Sequence, residues 1–158
     1  MNTMRVSLLS GLLALFLPVA SVHAADDDVP YWASISADVA NMRVGPSERY
    51  PIDWVYKRKL LPVKVVRREG PWRLIEDPDG TKGWMRDLLL SRERTALVTG
   101  SEVAEMHARA SMGSPLLWRI EPGVVGSLGD CESDWCEFEV EGHEGFLPQD
   151  RLWGPGEP

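Results

Sequence analysis

Alternation with a period of two is the dominant pattern along the chain. In "LPVKVVRRE", Val63 and Val65 alternate with Lys64 and Val66, and in "CEFEVEGHEGFL", Cys136, Phe138 and Val140 alternate with Glu137, Glu139 and Glu141. Successive side chains of a strand point to opposite faces, so these runs predict strands with one face in a core. In "PWRLIEDPDGTKGWM", Asp77-Pro78-Asp79-Gly80 separates two apolar runs. Asp-Gly in that setting is a strong hairpin signal. Gly142 supplies a similar turn later on. No convincing helical period follows residue 24, and the one candidate, around residues 101–110, is better explained by a repeat.

The repeat appears when the sequence is shifted by 64 positions. Ala40 then meets Ala104, Met42 meets Met106, Ser47 meets Ser111, Pro51 meets Pro115 and Trp54 meets Trp118. After a one-residue slip Trp72 meets Trp135, and after another Gly83-Trp84-Met85 meets Gly145-Phe146-Leu147. Matches in step over so long a stretch mean two copies of one structural unit. Short, even strands with frequent turns predict an all-β chain of two tandem small barrels, each of about five strands. The expected bounds are a first barrel over 38–92, a linker over 93–100 and a second barrel over 101–158, after a lead-in over 25–37. "NMRVGPSERYP" reads as a long stiffened loop between strands. Met42 and Val44 end a strand, Gly45-Pro46-Ser47 leaves it sharply, and Tyr50-Pro51 enters the next in extended form.

Residues 40–90 resemble the bacterial SH3-like (SH3b) family. They have its "N-x-R-x-G-P-S" opening at Asn41, its Tyr-Pro step, its "G-x-W" turn and its closing "G-W" strand ending in Leu. The second copy is degenerate, with His107 for Arg43, Arg109 for Gly45 and Ala110 for Pro46. The resemblance implies SH3-like barrels that serve as binding or targeting modules of exported proteins, often for cell-wall peptidoglycan and often joined to a hydrolase.

The N-terminus agrees with export. Residues 1–24 carry one early cation, Arg5, then an apolar run from Val6 to Ala20 and small residues before Ala24. That is the layout of a signal peptide, and the run is too short for a permanent span. A periplasmic or secreted bacterial location is expected, with no stable membrane insertion after cleavage. Charge is unevenly divided: residues 38–92 hold 12 basic and 8 acidic side chains, and residues 101–158 hold 3 and 12. Lys57, Arg58, Lys59, Lys64, Arg67 and Arg68 form a basic cluster. It reads as a solvated face, as a contact for an anionic polymer, or as a docking face against carboxylates of the acidic second barrel. An acidic, exported protein is not expected to bind nucleic acid.

In an oxidising compartment the two cysteines, Cys131 and Cys136, are expected to form a disulfide across the turn "CESDWC". Its loop is short, so the entropic gain is at most about 2–3 kcal/mol. A cysteine-peptidase centre would have to draw on Cys131, Cys136 and His143, but both cysteines fall in one predicted hairpin and no separate α/β segment exists to hold it; a zinc site from these and His107 would match no common finger spacing. No catalytic residue, metal or cofactor is therefore expected. Seven tryptophans against three Phe and three Tyr is a heavy load. Trp72 and Trp84 recur as Trp135 and Phe146, which suits a core, whereas Tyr50 has no counterpart and suits a surface. Arg43, Tyr50, Trp54 and Trp84 are the candidate ligand-binding residues. The expected function is a non-enzymatic binding module for peptidoglycan or another envelope component. The alternative is a periplasmic interaction or structural accessory, its barrels docked on each other and serving an envelope protein.

Overall fold

The structure is a computed structural model and describes residues 29–158. The segment read as a signal peptide lies outside the described residues. The first sheet contains β1 (Tyr31–Ile35), β2 (Ala40–Arg43), β3 (Ile52–Tyr56), β4 (Pro62–Glu69), β5 (Trp72–Glu76), β6 (Lys82–Arg86) and β7 (Leu90–Ser91). The second contains β8 (Thr95–Val98), β9 (Ala104–His107), β10 (Leu116–Ile120), β11 (Val125–Glu132), β12 (Trp135–Val140), β13 (His143–Pro148) and β14 (Leu152–Trp153). Strand order is β3-β2-β6-β5-β4-β1-β7 in one and β10-β9-β13-β12-β11-β8-β14 in the other. The two orders are the same order, and every strand pair is antiparallel. The described helices are two single 3-10 turns, Asp87–Leu89 and Gln149–Arg151. The chain is all-β and built of two copies, as the repeat predicts.

Each sheet has seven strands rather than about five, and each unit starts earlier than the repeat suggests. Strand β1 lies in the expected lead-in, yet it pairs with β4 from Tyr31↔Val65 to Ser34↔Pro62. Strand β8 lies in the expected linker and pairs with β11 from Thr95↔Ser127 to Leu97↔Val125. "YWASI" and "TALV" share almost no letters, so a comparison of copies does not detect them.

Each unit has its own core. Ile35, Met42, Val63, Val65, Ile75 and Met85 fill the first, and Val98, Met106, Leu128, Phe138 and Leu147 fill the second. The methionines kept in step close the barrels. A Cβ on Gly83 would stand 2.4 Å from Met42 Cγ, and one on Gly145 would stand 2.6 Å from Met106 Cγ. Only a residue without a side chain lets the methionine lie there. Cys131 and Cys136 are disulfide-bonded partners across β11 and β12, and Cys136 is fully buried in the second core.

The first unit adds a buried polar tie. The Tyr56 hydroxyl donates to Asp77 Oδ2 at 2.8 Å, while Asp77 Oδ1 accepts the backbone N–H of Asp79 at 3.0 Å and of Thr81 at 2.8 Å. The corresponding residues of the second unit are Ile120 and Val140.

The units dock on each other. Leu97 and Val125 pack against the core of the first unit. Thr95 Oγ1 donates to the Leu60 carbonyl at 2.8 Å, and Trp32 Nε1 donates to the Gly156 carbonyl at 2.9 Å. The Trp32 ring meets the Trp153 ring edge-on at 4.7 Å. The expected facing of Lys57, Arg58 or Lys59 against carboxylates is not what forms. Arg58 donates to the backbone carbonyl of Gly123, and Lys57 and Lys59 stay exposed with no ion pair among the described residues. The cations of β4 and β6 find carboxylates at home: Lys82 pairs with Glu76 at 3.2 Å, and Arg86 pairs with Glu48 at 2.9 Å. An apolar seam suits such a boundary, because desolvating charges there costs more than their attraction returns.

Two outcomes are expected. Raising salt from about 0.05 to 0.5 M screens exposed charge but leaves an apolar seam intact, so the radius of gyration from small-angle scattering stays constant; expansion would point to charge-driven docking. Burial, then the hydrogen bond and charge of Asp77, pushes the Tyr56 phenol above the ordinary tyrosine range. The folded state therefore holds this proton more tightly, and the tie contributes fully below about pH 10 and is lost as pH climbs beyond it. Tyr56→Phe should cost about 1–3 kcal/mol at neutral pH by depriving Asp77 of a donor. In urea titrations the gap between wild type and variant should narrow in strong alkali.

Candidate functional site

The loop between β2 and β3 packs on the outer face of the first sheet. Cross-strand partners form a row on that face: Arg67↔Leu74, Leu74↔Trp84, Trp84↔Arg43 and Arg43↔Ile52. Trp84 is only 9% exposed, with the Arg67 guanidinium 5.8 Å from its ring centre. Arg43 Nη1 donates to the Tyr50 carbonyl at 2.8 Å and to the Glu48 carbonyl at 3.2 Å. This clamp holds the loop closed. The Tyr50 ring lies on Gly45, where a Cβ would be 2.6 Å from the ring carbons.

The second unit closes the same loop with other chemistry. Buried His107, at the position of Arg43, has Nδ1 3.0 Å from the carbonyl of Ser114, at the position of Tyr50. A carbonyl can only accept, so Nδ1 carries the proton. The Ser114 hydroxyl adds a bond from the Arg109 N–H at 2.9 Å.

The outermost strands β3 and β10 carry apolar side chains into solvent. Ile52, Trp54 and Val55 are exposed on one, and Leu116, Leu117 and Trp118 on the other. The two tryptophans differ in what covers them. Trp118 stacks on His143 with ring centres 4.0 Å apart. Trp54 is 60% exposed and makes no ring contact among the described residues. It stands at a cleft of about 610 Å³ between the units, with Asp53, Lys57, Arg58 and Asp79 on one side and Leu97 and Gly123 on the other.

Comparison with known proteins decides the family. The family model for the bacterial SH3 domain matches twice, over residues 36–92 and 100–154. The chain belongs to the bacterial SH3 domain family. It is 25% identical over 154 residues to YrvJ of Bacillus subtilis, a protein named for N-acetylmuramoyl-L-alanine amidase activity; the match covers 90% of this chain and 29% of that protein. The SH3 pair thus spans less than a third of that relative's length. Among solved structures, NlpC2 of Trichomonas vaginalis aligns at a TM-score of 0.36 and 9% identity, over 78% of this chain and 48% of its own. An NlpC/P60 family protein of Bacillus cereus aligns at a TM-score of 0.34 and 16% identity, over 78% and 56%.

The SH3 fold divides the residues singled out from sequence. Arg43, Tyr50 and Trp84 gather at the loop, where Arg43 clamps backbone and Trp84 is buried. Trp54 stands apart, at the cleft. The basic cluster is split as well. Lys57, Arg58 and Lys59 follow β3 beside the cleft, whereas Lys64, Arg67 and Arg68 lie along β4. Lys64 sits 3.9 Å from Glu76 and 5.8 Å from the Trp32 ring centre, and Arg68 lies 5.0 Å from the centre of the Tyr31 ring. Among the described residues no group of three or more His, Cys, Asp or Glu side chains is placed to hold a metal ion. Sequence reasoning missed Asp53, Asp79, Leu97 and Gly123 as cleft residues. Asp79 was visible only as part of a turn, and nothing local marks a residue that faces another unit.

Arg43→Ala removes both donors of the clamp. Amide exchange should quicken over residues 44–51 while the sheet amides stay protected, for a global loss of about 1 kcal/mol. Unchanged exchange in the loop would mean that Tyr50 on Gly45 holds it alone.

Proposed function

We propose that this tandem SH3 pair is a non-enzymatic binding module, exported to the periplasm or beyond the cell, that recognises peptidoglycan or another component of the cell envelope. The observation that carries this reading is Trp54, a large aromatic left uncovered at an open cleft. Burying such a ring is a strong source of binding energy, and it stands on a strand that also leaves Ile52 and Val55 exposed, the kind of apolar grouping that marks an interaction surface. The relation to a protein named for amidase action on a cell-wall bond supports an envelope ligand. The disulfide supports an oxidising compartment.

A specific observation also favours the accessory reading. The units are docked and the outer face of the first is closed beneath its loop, an arrangement suited to presenting a fixed surface to a protein partner. The clefted side and the closed side thus point to different ligands, and one experiment separates them. The full chain, with its disulfide intact, is mixed with purified sacculi and sedimented. Co-sedimentation that saturates with protein concentration is the expected result. Recovery in the supernatant, together with capture of one envelope protein by the same chain, would replace the wall-binding reading with the accessory one.

A further inference from the structure

We propose that the cleft between the two SH3 units is a composite site for a short zwitterionic peptide, such as the peptide portion of an envelope glycopeptide, with Trp54 as its stacking platform. This rests on the binding role proposed above and assigns that role a place and a ligand chemistry.

The two copies provide an internal comparison. At one position in the repeat the second unit has Trp118 stacked on His143, and the first has Trp54 bare beside Thr81. Below the tryptophan the second unit is apolar, with Ile120 and Val140. The first has Tyr56 and Asp77, buried and joined at 2.8 Å. Both Asp77 oxygens are engaged, so this pair forms a fixed polar wall.

The charges around Trp54 decide the ligand class. Asp53, Asp79 and Lys57 line the cleft, and none is in an ion pair among the described residues. Elsewhere in this unit acids and bases do pair, as Glu76 does with Lys82 on the neighbouring strand and Glu48 of the β2–β3 loop does with Arg86. Two free carboxylates and a free ammonium beside an uncovered indole match a ligand that brings both an ammonium and a carboxylate. A neutral glycan would use the indole and leave the charges unanswered. The remaining cation, Arg58, is held on the Gly123 carbonyl and fixes the far wall. Leu97 and Gly123 belong to the second unit, so the cleft exists only in the docked pair. Its volume, about 610 Å³, is that of a site for a small ligand.

The test uses the full chain and follows tryptophan indole N–H signals by NMR, with retention on sacculi measured alongside. The probes are a muramyl tripeptide ending in lysine, the same tripeptide without sugar, and a neutral N-acetylglucosamine tetrasaccharide. Both peptides should shift the Trp54 signal and the tetrasaccharide should not. Trp54→Ala should weaken peptide binding roughly tenfold, and Lys57→Glu should weaken it further as salt is lowered. Trp118→Ala should leave it unchanged. Trp54 is largely exposed, so its variant should fold; were it not to, Lys57→Glu carries the test. Equal binding of the tetrasaccharide, no binding of either peptide, or equal loss in the Trp54 and Trp118 variants would overturn the site. Sacculi retention that persists in Trp54→Ala would sink the cleft but keep the wall-binding role. Peptide binding without sacculi retention would do the reverse.

Discussion

Each barrel closes where a methionine lies on a glycine. Met42 on Gly83 and Met106 on Gly145 bring β2 against β6 and β9 against β13, and these strands share a single register pair each, Arg43↔Trp84 and His107↔Phe146. So thin a ladder supplies few backbone hydrogen bonds. Side-chain packing must hold the seam, and no larger residue fits opposite the methionine. Everything functional hangs from that closure. It sets the angle at which the loop crosses the outer face, and it leaves β3 and β10 as outermost strands with their apolar side chains uncovered. Edge strands of this kind invite pairing and aggregation unless something is meant to cover them.

The closure explains which parts of the fold were legible in the sequence. Met42 and Met106, the glycines of "GWM" and "GFL", and Trp72 and Trp135 recur because the packing admits few substitutes. They were enough to reveal two barrels and their antiparallel hairpins. Strands β1 and β8 were not legible, because the core side chains they supply, Ala33 and Ile35 in one and Ala96 and Val98 in the other, sit in short segments whose letters do not match between the copies. Docking was misjudged for a different reason. Net charge counts side chains without placing them: Lys64, Arg67, Arg73, Lys82 and Arg86 pair with carboxylates of the first unit itself, and the seam is left to Leu97, Val125 and Trp153.

The loop clamp shows how a site residue can be read correctly by position and wrongly by role. Arg43 and His107 share no chemistry beyond an N–H that can be aimed at a carbonyl. Both aim it at the carbonyl of the residue seven positions further along the chain, Tyr50 in one copy and Ser114 in the other. An arginine in a loop-facing position suggested a ligand contact, but the guanidinium is engaged by main chain. Trp84, whose recurrence as Phe146 suited a core although it was also a candidate ligand contact, is buried beside Arg43. What the repeat preserves here is loop closure, and it can be reached with a guanidinium or an imidazole.

Where the copies differ without such compensation, function is the better place to look. Loss of the Tyr56–Asp77 tie in the second unit is made good by the apolar pair Ile120 and Val140, which needs no hydrogen bond. The reverse does not follow: a buried phenol and carboxylate are costly unless fully partnered, so a unit able to do without them has little reason to keep them for stability alone. The first unit keeps them at the cleft where Trp54 stands uncovered, beside Asp53, Asp79 and Lys57, which have no ion pair among the described residues. The second unit, with its tryptophan capped by His143, instead contributes Leu97 and Gly123 as a wall. Duplication has thus yielded two barrels of one closure that differ at the cleft, the first lining it with Trp54 and charged side chains and the second with Leu97 and Gly123.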